Sequence, residues 1–317
     1  MQKKIALVTG CAGFIGSNLV KKLLENNYRI IGVDNYRTGK KDFIKKFIRN
    51  NKFKFYNLDL TKNANLNKIF KNKIDLIFHV AANADVSKGY KKPYNDFKYN
   101  TLMTFKLLEH ARLKKVKKII FCSTGSIYGE TKNIPTPEND FFPIQTSMYG
   151  ASKLACEGLI QAYSEAYNIK SYIFRFVSIL GPNYTHGHIV DFYNKLKKNK
   201  KVLKILGNGK QRKSYLHIYD CLNAIFKTIN RKSKNNVNIF NLGTNEVITV
   251  VESAKIICKF MKVNPRFNFS GGERGWIGDV PHIKLNISKI LKTGWRPKYT
   301  IKQSIISTLN YLNEKKT

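Results

Sequence analysis

The sequence contains few acidic residues, no long hydrophobic run and no closely spaced pair of cysteines. Its 317 residues include 20 Asp and Glu against 57 Lys and Arg, which gives a formal net charge of +37. A transmembrane helix needs roughly 18 or more consecutive apolar residues, and no such run occurs. A membrane-spanning protein is therefore not expected, and no membrane partner is predicted.

The cysteines are scattered and form neither a C-x-x-C pair nor a cluster with histidine at metal-ligand spacing. No metal site is predicted, and the pattern favours a reducing compartment. The N-terminal lysines precede an apolar stretch of only about five residues, which leads into a glycine-rich turn, so we interpret it as a strand and not as a signal peptide. We expect a cytoplasmic protein. The five cysteines are Cys11, Cys122, Cys156, Cys221 and Cys258.

The positive charge is carried mostly by lysine and is spread along the whole chain. Proteins that bind nucleic acid more often cluster Arg and Lys with aromatic residues, or carry a recognisable binding module. We therefore attribute the charge to a basic, Lys- and Asn-biased proteome and expect no nucleic-acid partner. A positive field would still attract phosphorylated substrates, more strongly at low salt.

Short apolar, β-branched runs alternate with amphipathic stretches over the first two thirds of the chain. This alternation predicts an α/β fold with a parallel sheet that is buried on both faces. From about residue 180, turn-rich segments alternate with short helices, so the chain is divided at 178/179, with a soft boundary and an expected crossing back. The predicted strands span residues 4–9, 29–34, 53–59, 74–81, 117–123 and 169–177.

Three glycines follow the first predicted strand and open the first predicted helix, in the order Gly10, Gly13 and Gly16. Glycine at these positions permits a tight turn and lets a pyrophosphate approach the positive N-terminus of the helix. Asp34 ends the second strand, where a carboxylate can bind both ribose hydroxyls of NAD and would repel the 2′-phosphate of NADP. The alternative for Asp34 is an ordinary turn residue at a strand end.

Tyr149 and Lys153 stand four residues apart at the start of a predicted helix, within the segment "SMYGASKLACEG". Side chains at this spacing share one helix face. They form either an acid–base pair or part of a solvated surface, and the spacing alone favours the surface.

Seven features in register resemble the extended short-chain dehydrogenase/reductase family, and within it the NAD-dependent nucleotide-sugar epimerases similar to UDP-glucose 4-epimerase. The resemblance covers nearly the whole chain. It rests on the glycine motif, Asp34, "NLDL", "HVAANADV", Asn100, "STGSIYG" and the Tyr149/Lys153 pair.

The resemblance implies a Rossmann-like, doubly wound parallel sheet, with residues 1–178 binding NAD and residues 179–317 mainly binding the sugar nucleotide. It implies that Tyr149 exchanges a proton with the sugar, beside Thr124 and Lys153, and that helices over 94–112 and 149–167 form a homodimer interface. An ammonium nearby and the charge of oxidised nicotinamide should lower the pKa of Tyr149. The implied NAD contacts are Gly10, Gly13, Phe14, Ile15, Gly16, Asp34, Asn35, Asp59, Leu60, Ala81, Ala82, Asn100, Tyr149 and Lys153.

Several residues depart from the family pattern, and these departures limit the reactions that can be expected of the chain. Sugar dehydratases of this family carry Asp-Glu after the active-site Thr, whereas Gly125 and Ser126 follow Thr124 here. Lys213 stands where the family has a phosphate-binding arginine, Ser178 stands where it has asparagine, and Arg274 is displaced by two positions. The implied substrate contacts are Thr124, Ser126, Ser178, Arg212, Lys213 and Arg274.

The sequence therefore predicts an NAD-dependent epimerase that acts at C4 of a UDP-hexose. The enzymatic alternatives are epimerisation at another position or of a UDP-uronic acid, and a net nucleotide-sugar dehydrogenase. The alternative from another class is a non-catalytic Rossmann-like protein that binds nucleotide or RNA.

Overall fold

A computed structural model describes residues 4–84, 89–140, 144–276 and 279–314. Strands and helices alternate in its first part, as the sequence predicts. They are β1 (Ile5–Thr9), α1 (Phe14–Glu25), β2 (Arg29–Asp34), α2 (Lys41–Ile44), β3 (Phe53–Asn57), α3 (Asn63–Ile69), β4 (Leu76–His79), α4 (Pro93–Asp96), α5 (Met103–Leu113), β5 (Lys118–Thr124), α6 (Met148–Tyr167) and β6 (Lys170–Phe176).

One seven-stranded sheet joins these strands with β11 (Val237–Leu242), in the order β11-β6-β5-β4-β1-β2-β3. The pairs of β1 with β2 and β4, of β2 with β3 and of β4 with β5 are parallel. The order 3-2-1-4-5-6 is that of doubly wound dinucleotide-binding sheets, in which ligands bind beyond the carboxyl ends of the strands. The predicted Rossmann-like α/β fold is confirmed.

The core on one face of this sheet is formed by aliphatic side chains that the strands and helices bury together. Leu7 and Ile77 from the central strands meet Leu107 of α5 and Ile160 of α6, all of them fully buried. Each such side chain contributes roughly 1.5–3 kcal/mol by leaving water. This burial holds α5 and α6 against the strands whose ends carry the predicted site.

The polypeptide divides into two compact units, each assembled from several chain segments. The first comprises residues 1–127, 148–175 and 229–240, and the second comprises residues 128–147, 176–228 and 241–317. The second unit contains small two- and three-stranded sheets. Its elements, with the helix α8 that leads out of it, are β7 (Ser178–Leu180), α7 (His188–Lys198), β8 (Val202–Ile205), β9 (Arg212–Lys213), β10 (Tyr215–His217), α8 (Ile218–Ile229), β12 (Ile248–Thr249), α9 (Val250–Met261), β13 (Arg266–Phe269), β14 (His282–Ile283), α10 (Ser288–Leu291) and α11 (Ile301–Glu314).

Two of the differences between predicted and observed elements lie near the predicted site. The fourth strand, predicted over 74–81, ends at His79 because the N–H groups of Val80 and Ala81 donate to the hydroxyl of Thr9 instead of to a neighbouring strand. The helix predicted over 94–112 is interrupted by a π-helical segment, Phe97–Leu102. Among the described residues, no helix is both long and apolar enough to cross a membrane.

Candidate active site

The glycine turn between β1 and α1 is packed so closely against neighbouring backbone that two of its positions admit no side chain. Gly10 adopts a left-handed φ of +68°, and a Cβ there would lie 2.8 Å from Cα of Ala81. A Cβ on Gly16 would lie 2.0 Å from the carbonyl oxygen of Gly10. Gly13 precedes α1 without a side-chain cap, and the first turn of α1 has no acidic residue. The N-terminus of α1, without a capping side chain or an acidic residue, suits an anion such as a pyrophosphate. The neighbouring Phe14 and Ile15 are partly exposed.

Asp34 lies at the end of β2 and is tied to this turn. Its carboxylate accepts hydrogen bonds from the N–H groups of Ala12, at 3.0 Å, and Tyr36, at 2.8 Å. Burial raises the pKa of Asp34, and these amides oppose the rise. A carboxylate offers about four acceptor positions, so it retains capacity for two ribose hydroxyls. Asn35, the next residue, is exposed, and its side-chain oxygen accepts from the N–H of Arg37.

The carboxyl end of β3 adds the next two predicted contacts beside Asp34. Asp34 pairs in register with Asn57 at the end of β3, two residues before Asp59. Asp59 Oδ1 accepts hydrogen bonds from the N–H and the hydroxyl of Thr61, at 2.9 and 2.8 Å. Leu60 is buried in the core. The turn is thus held by the Asp59 side chain, whose second oxygen remains an acceptor.

A buried chain of hydrogen bonds positions the segment after β4. The hydroxyl of Thr9 accepts from Val80 N–H and Ala81 N–H, both at 3.1 Å, so its own proton points to Nδ1 of His79, at 2.9 Å. Nε2 of His79 therefore carries the ring proton and donates to Thr104, at 2.9 Å. Burial, with a smaller effect of Lys153, lowers the pKa of His79 to about 3. The histidine is therefore neutral and connects Thr9 to Thr104 through its two ring nitrogens. The two predicted channel residues that follow it, Ala81 and Ala82, are partly exposed.

Asn100 lies in the π-helical segment and connects three elements. Its side-chain oxygen accepts from the N–H of Asn83, at 2.7 Å, and its side-chain nitrogen donates to the hydroxyl of Ser152, at 2.8 Å. Ser152 in turn donates to the carbonyl oxygen of Tyr149. Single π turns inside α-helices are frequent at functional sites. Asn100 therefore supports the start of α6, where Tyr149 stands.

Thr124, Tyr149 and Lys153 are brought together at the carboxyl end of β5. Thr124 is the last residue of β5 and hydrogen-bonds to the phenol of Tyr149. Lys153 is 2% exposed, and its ammonium donates to the carbonyl oxygen of Cys122, at 2.7 Å, and lies 3.9 Å from the centre of the Phe121 ring.

The hydroxyl of Thr124 is itself held in place. It accepts from the N–H of Ser126, at 3.1 Å, and donates to the Ser126 hydroxyl, at 3.2 Å. Thr124 and Ser126, both predicted to contact substrate, therefore lie together, and a small shift of either would move the other.

Burial dominates the electrostatics of the Tyr149/Lys153 pair. Burial raises the pKa of Tyr149, and the hydrogen bond with Thr124 only partly opposes that rise. Burial also lowers the pKa of Lys153. Removal from water disfavours the charged form of both groups. The polypeptide by itself therefore raises the pKa of Tyr149, and the lowering expected from the ammonium together with the charge of oxidised nicotinamide stays a prediction.

Two of the predicted phosphate-binding residues in the second unit contact the same buried residue, Asp279. Lys213 donates to Asp279 Oδ1, at 2.7 Å, and to the carbonyl oxygen of Val280. Arg274 donates to the backbone oxygen of Asp279, at 2.8 Å, and pairs with Glu130.

The other two predicted substrate contacts of the second unit lie outside this cluster. Arg212 precedes Lys213 on β9, so its side chain points to the opposite face, and it is exposed. Ser178, at the start of β7, is also exposed. Of the two candidate cations on β9, Lys213 is the one that lies with Arg274.

Residues 6–243 match the model of the NAD dependent epimerase/dehydratase family. The protein belongs to this family. The match covers the glycine turn, Asp34, the β5 end and α6, and the resemblance inferred from the sequence is confirmed. The chain is an enzyme of the nucleotide-sugar epimerase/dehydratase type, and its cofactor is NAD.

Relatives and solved structures agree along the full length of the chain. The chain is 34% identical over 315 residues to a protein of Methanocaldococcus jannaschii named putative UDP-glucose 4-epimerase, covering 96% of this chain and 97% of the relative. It is similar to the crystal structure of UDP-glucose 4-epimerase with UDP-glucose from Thermotoga maritima, with a TM-score of 0.89, 28% identity, and 99% and 100% of the two chains covered. It is also similar to UDP-glucuronic acid 4-epimerase from Bacillus cereus in complex with UDP-glucuronic acid and NAD, with a TM-score of 0.88, 27% identity, and 98% and 99% covered.

The residues of this epimerase/dehydratase chain fit NAD on structural grounds of their own. The glycine turn admits no Cβ at Gly10 or Gly16, the amides that open α1 lack a side-chain cap, and the carboxylate of Asp34 stands beside them. This combination is suited to a pyrophosphate next to a ribose with free hydroxyls.

Three residues that sequence reasoning did not single out contribute to the site. Asn83 donates its side-chain amide to Asp96, at 2.7 Å, and Asp96 is fully buried, so its charge raises the pKa of Tyr149. Ser152 joins Asn100 to α6. The sequence contains only weak signals that these residues belong to the site. Asp96 and Asn100 are four residues apart on one helix, and Ser152 directly precedes Lys153.

Proposed function

We propose that this enzyme epimerises a nucleotide sugar at C4, and that its substrate is a UDP-hexose. The observation that carries the proposal is the arrangement of Thr124, Tyr149 and Lys153 at the carboxyl end of β5. The similarity to the M. jannaschii protein named putative UDP-glucose 4-epimerase and to the T. maritima enzyme with UDP-glucose supports the choice of UDP-hexose. The reaction oxidises C4 to a 4-keto sugar and returns hydride to the opposite face of the ring.

Tyr149 serves as the acid–base group. Its phenolate takes the proton of the C4 hydroxyl during oxidation, and the phenol so formed returns the proton during reduction. Burial raises the pKa of Tyr149, and the hydrogen bond with Thr124 opposes that rise and orients the phenol. Bound NAD supplies the hydride acceptor and, when oxidised, a positive charge. Lys153, whose ammonium donates to the carbonyl oxygen of Cys122, would hydrogen-bond to the cofactor ribose.

The absence of an acid next to Thr124 supports epimerisation over dehydration. Elimination of water needs a group that protonates the departing hydroxyl. Gly125 has no side chain and Ser126 carries a weakly acidic hydroxyl that is already bonded to Thr124. Epimerisation needs only hydride and proton exchange at one carbon.

Lys213 and Arg274 are proposed to bind the diphosphate of the substrate. Both cations are anchored to Asp279, which leaves further N–H donors of each group for phosphate oxygens. Lysine binds phosphate as a point charge without the bidentate geometry of arginine. Arg212 and Ser178 are proposed as peripheral contacts.

A UDP-uronic acid is the second candidate substrate, because the B. cereus UDP-glucuronic acid 4-epimerase structure covers nearly the whole chain. One experiment separates the candidates. The purified enzyme is incubated, without added cofactor, with UDP-, dTDP-, GDP- and CDP-sugars including UDP-glucose and UDP-glucuronic acid, and the anomeric proton signals are followed by NMR. Appearance of UDP-galactose from UDP-glucose supports the proposal. Turnover of UDP-glucuronic acid alone, or a 4-keto-6-deoxy product, overturns it.

We also propose a homodimer in which the outer faces of the helical segments 94–112 and 149–167 pack against a second copy. Exposed aromatic side chains are concentrated along this helical surface, with fractional exposures between 42% and 63%. Such a patch is unusual on the surface of a monomer. The aromatic residues concerned are Tyr94, Phe97, Phe105 and Tyr167.

The cytoplasm is the proposed location. All five cysteines are buried free thiols, as a reducing compartment permits.

A further inference from the structure

A buried ion pair lies beneath the catalytic helix. Glu157 of α6 is fully buried, and Arg175 of β6 is 7% exposed. Nε of Arg175 donates to both carboxylate oxygens of Glu157, at 3.1 Å, and Nη2 donates to Oε2, at 2.7 Å. The same carboxylate accepts a short hydrogen bond from the hydroxyl of Ser123 on β5. Glu157 thus ties together three adjacent elements.

The Glu157–Arg175 ion pair and the bond of Glu157 to Ser123 lie beside the reacting groups. Lys153 and Glu157 are one helical turn apart on α6, and they contact consecutive residues of β5: Lys153 the carbonyl oxygen of Cys122, and Glu157 the hydroxyl of Ser123. The residue after Ser123 is Thr124, which hydrogen-bonds to Tyr149. Two attachment points therefore set the position of α6 along β5 directly before the Thr124–Tyr149 contact.

A contribution to stability alone is a poor explanation for the buried Glu157–Arg175 ion pair. A buried ion pair is often no more stable than apolar side chains of the same size, because both charges must leave water. A charge-assisted hydrogen bond with bidentate geometry does, however, define distances closely. A displacement of about 1 Å at a reacting group can cost about a hundredfold in rate.

We propose that Glu157 is a positioning residue for the reaction: clamped by Arg175, it fixes Ser123 and thereby the place of Thr124 against Tyr149. This inference rests on the proposed function, since it assigns Thr124 and Tyr149 to proton exchange. It has a second consequence, because Glu157 is the carboxylate nearest in sequence to Lys153 and stabilises its ammonium.

Several groups act on that ammonium, and Glu157 is the anionic one among them. Cys122 on β5 and Cys156 on α6 are buried thiols, and His79 on β4 is a neutral imidazole. Tyr149 on α6 is a protonated phenol. Burial lowers the pKa of Lys153, and the interactions with Cys156, Cys122 and the charge of Glu157, in decreasing order, oppose this change. Removing the charge should make Lys153 lose its proton at a lower pH.

Ser123→Ala tests the positional claim without changing any charge. We expect kcat for the UDP-hexose to fall about ten- to a hundredfold, with KM and NAD affinity unchanged, because binding groups stay in place. The control is Ser164→Ala. It removes the hydroxyl of a different buried serine, which lies on α6 and donates to the carbonyl oxygen of Ile160 in the same helix. An unchanged kcat in Ser123→Ala, or an equal loss in both variants, would overturn the proposal.

A readout without substrate separates this inference from the proposed function. The ¹³Cζ NMR signal of Tyr149, assigned by its loss in Tyr149→Phe, should move in Ser123→Ala and remain in Ser164→Ala. If the wild type fails to convert any UDP-hexose, the proposed function is wrong, and this signal alone decides the positioning role. An unmoved signal in Ser123→Ala overturns that role.

Glu157→Gln tests the charge. It retains an oxygen that can accept from Ser123, so the expected effect is a shift of the alkaline loss of activity to lower pH. Glu157→Gln/Arg175→Met removes both charges and avoids a buried unpaired guanidinium, so it serves if the single variant does not fold. If activity falls by the same factor at every pH in both variants, with no shift of the alkaline limb, the charge of Glu157 does not act on Lys153.

Discussion

The guanidinium group of Arg37 lies 4.0 Å from the centre of the Tyr99 ring, and its Nη1 donates to the side-chain oxygen of Asn83, at 3.0 Å. Arg37 follows Asp34 by three residues, and in many dinucleotide-binding proteins an arginine near this position accommodates the 2′-phosphate of NADP. Here the arginine is held on Tyr99, so its position depends on contacts outside the cofactor site.

Because Arg37 is held in this way, we expect NAD to bind at least about tenfold more tightly than NADP, since Asp34 repels the added phosphate. Isothermal titration of both cofactors measures the difference. Asp34→Asn should raise the affinity for NADP relative to NAD, whereas Asp59→Asn, which changes the carboxylate after β3, should leave the ratio unaltered. Equal or tighter binding of NADP by the wild type would refute the assignment of Asp34.

Tyr149→Phe should leave folding and NAD binding nearly unchanged, because the ring is retained and one hydroxyl is lost. The rate of epimerisation should fall about 100- to 10,000-fold, the usual contribution of acid–base assistance. Thr124→Val should cost less, if the phenol alone carries the proton. Steady-state kinetics with a UDP-hexose gives the ranking. Equal losses would mean that Thr124 relays the proton, and near-full activity of Tyr149→Phe would mean that the phenol is not the base.

Lys153→Met should weaken NAD binding as well as the rate, because the ammonium has a predicted second partner in the cofactor ribose. Lys118→Met is the matched control: Lys118 stands at the other end of β5, and its ammonium also donates to a main-chain carbonyl, that of Ile229. Calorimetry should show weaker NAD binding in the first variant only. Unchanged NAD affinity in Lys153→Met would count against the ribose contact.

His79 should make the fold less stable in mild acid. Its pKa in the folded protein is about 3, below the ordinary value of 6.5, so the unfolded chain binds the proton first. Its contribution is therefore complete above pH 6.5 and is lost progressively as the pH falls toward 3. Between pH 7 and 5 the expected loss is ~2 kcal/mol of unfolding free energy. Urea denaturation at both pH values measures it, and His79→Gln should reduce the pH dependence by that amount. An identical pH dependence of stability in the variant would show that the folded protein does not keep His79 neutral.

The helical face proposed for dimerisation should determine the oligomeric state. We expect the wild type to be a dimer by light scattering at micromolar concentration, and Phe97→Glu/Phe105→Glu to be a monomer, because charge cannot be buried there without a partner. Ile48→Glu, at an equally exposed apolar residue away from α5 and α6, should remain a dimer. A monomeric wild type would refute the proposal.

Local features of the site could be predicted from the sequence because their geometry follows from short-range rules. Gly10 and Gly16 stand where no Cβ fits, and Asp34 ends a strand beside them. Tyr149 and Lys153 share a helix face through their four-residue spacing. The alternation of apolar runs and amphipathic stretches predicted the parallel sheet, because each pattern specifies how its element can be buried.

Only the tertiary structure decided which distant residues support these groups. The contact of Arg37 with Tyr99, the link that His79 makes between Thr9 and Thr104, and the attachment of Glu157 to Ser123 all join residues from separate elements. The raised pKa of Tyr149 was also beyond sequence reasoning, because it depends on burial, which the chain acquires only when its layers pack together.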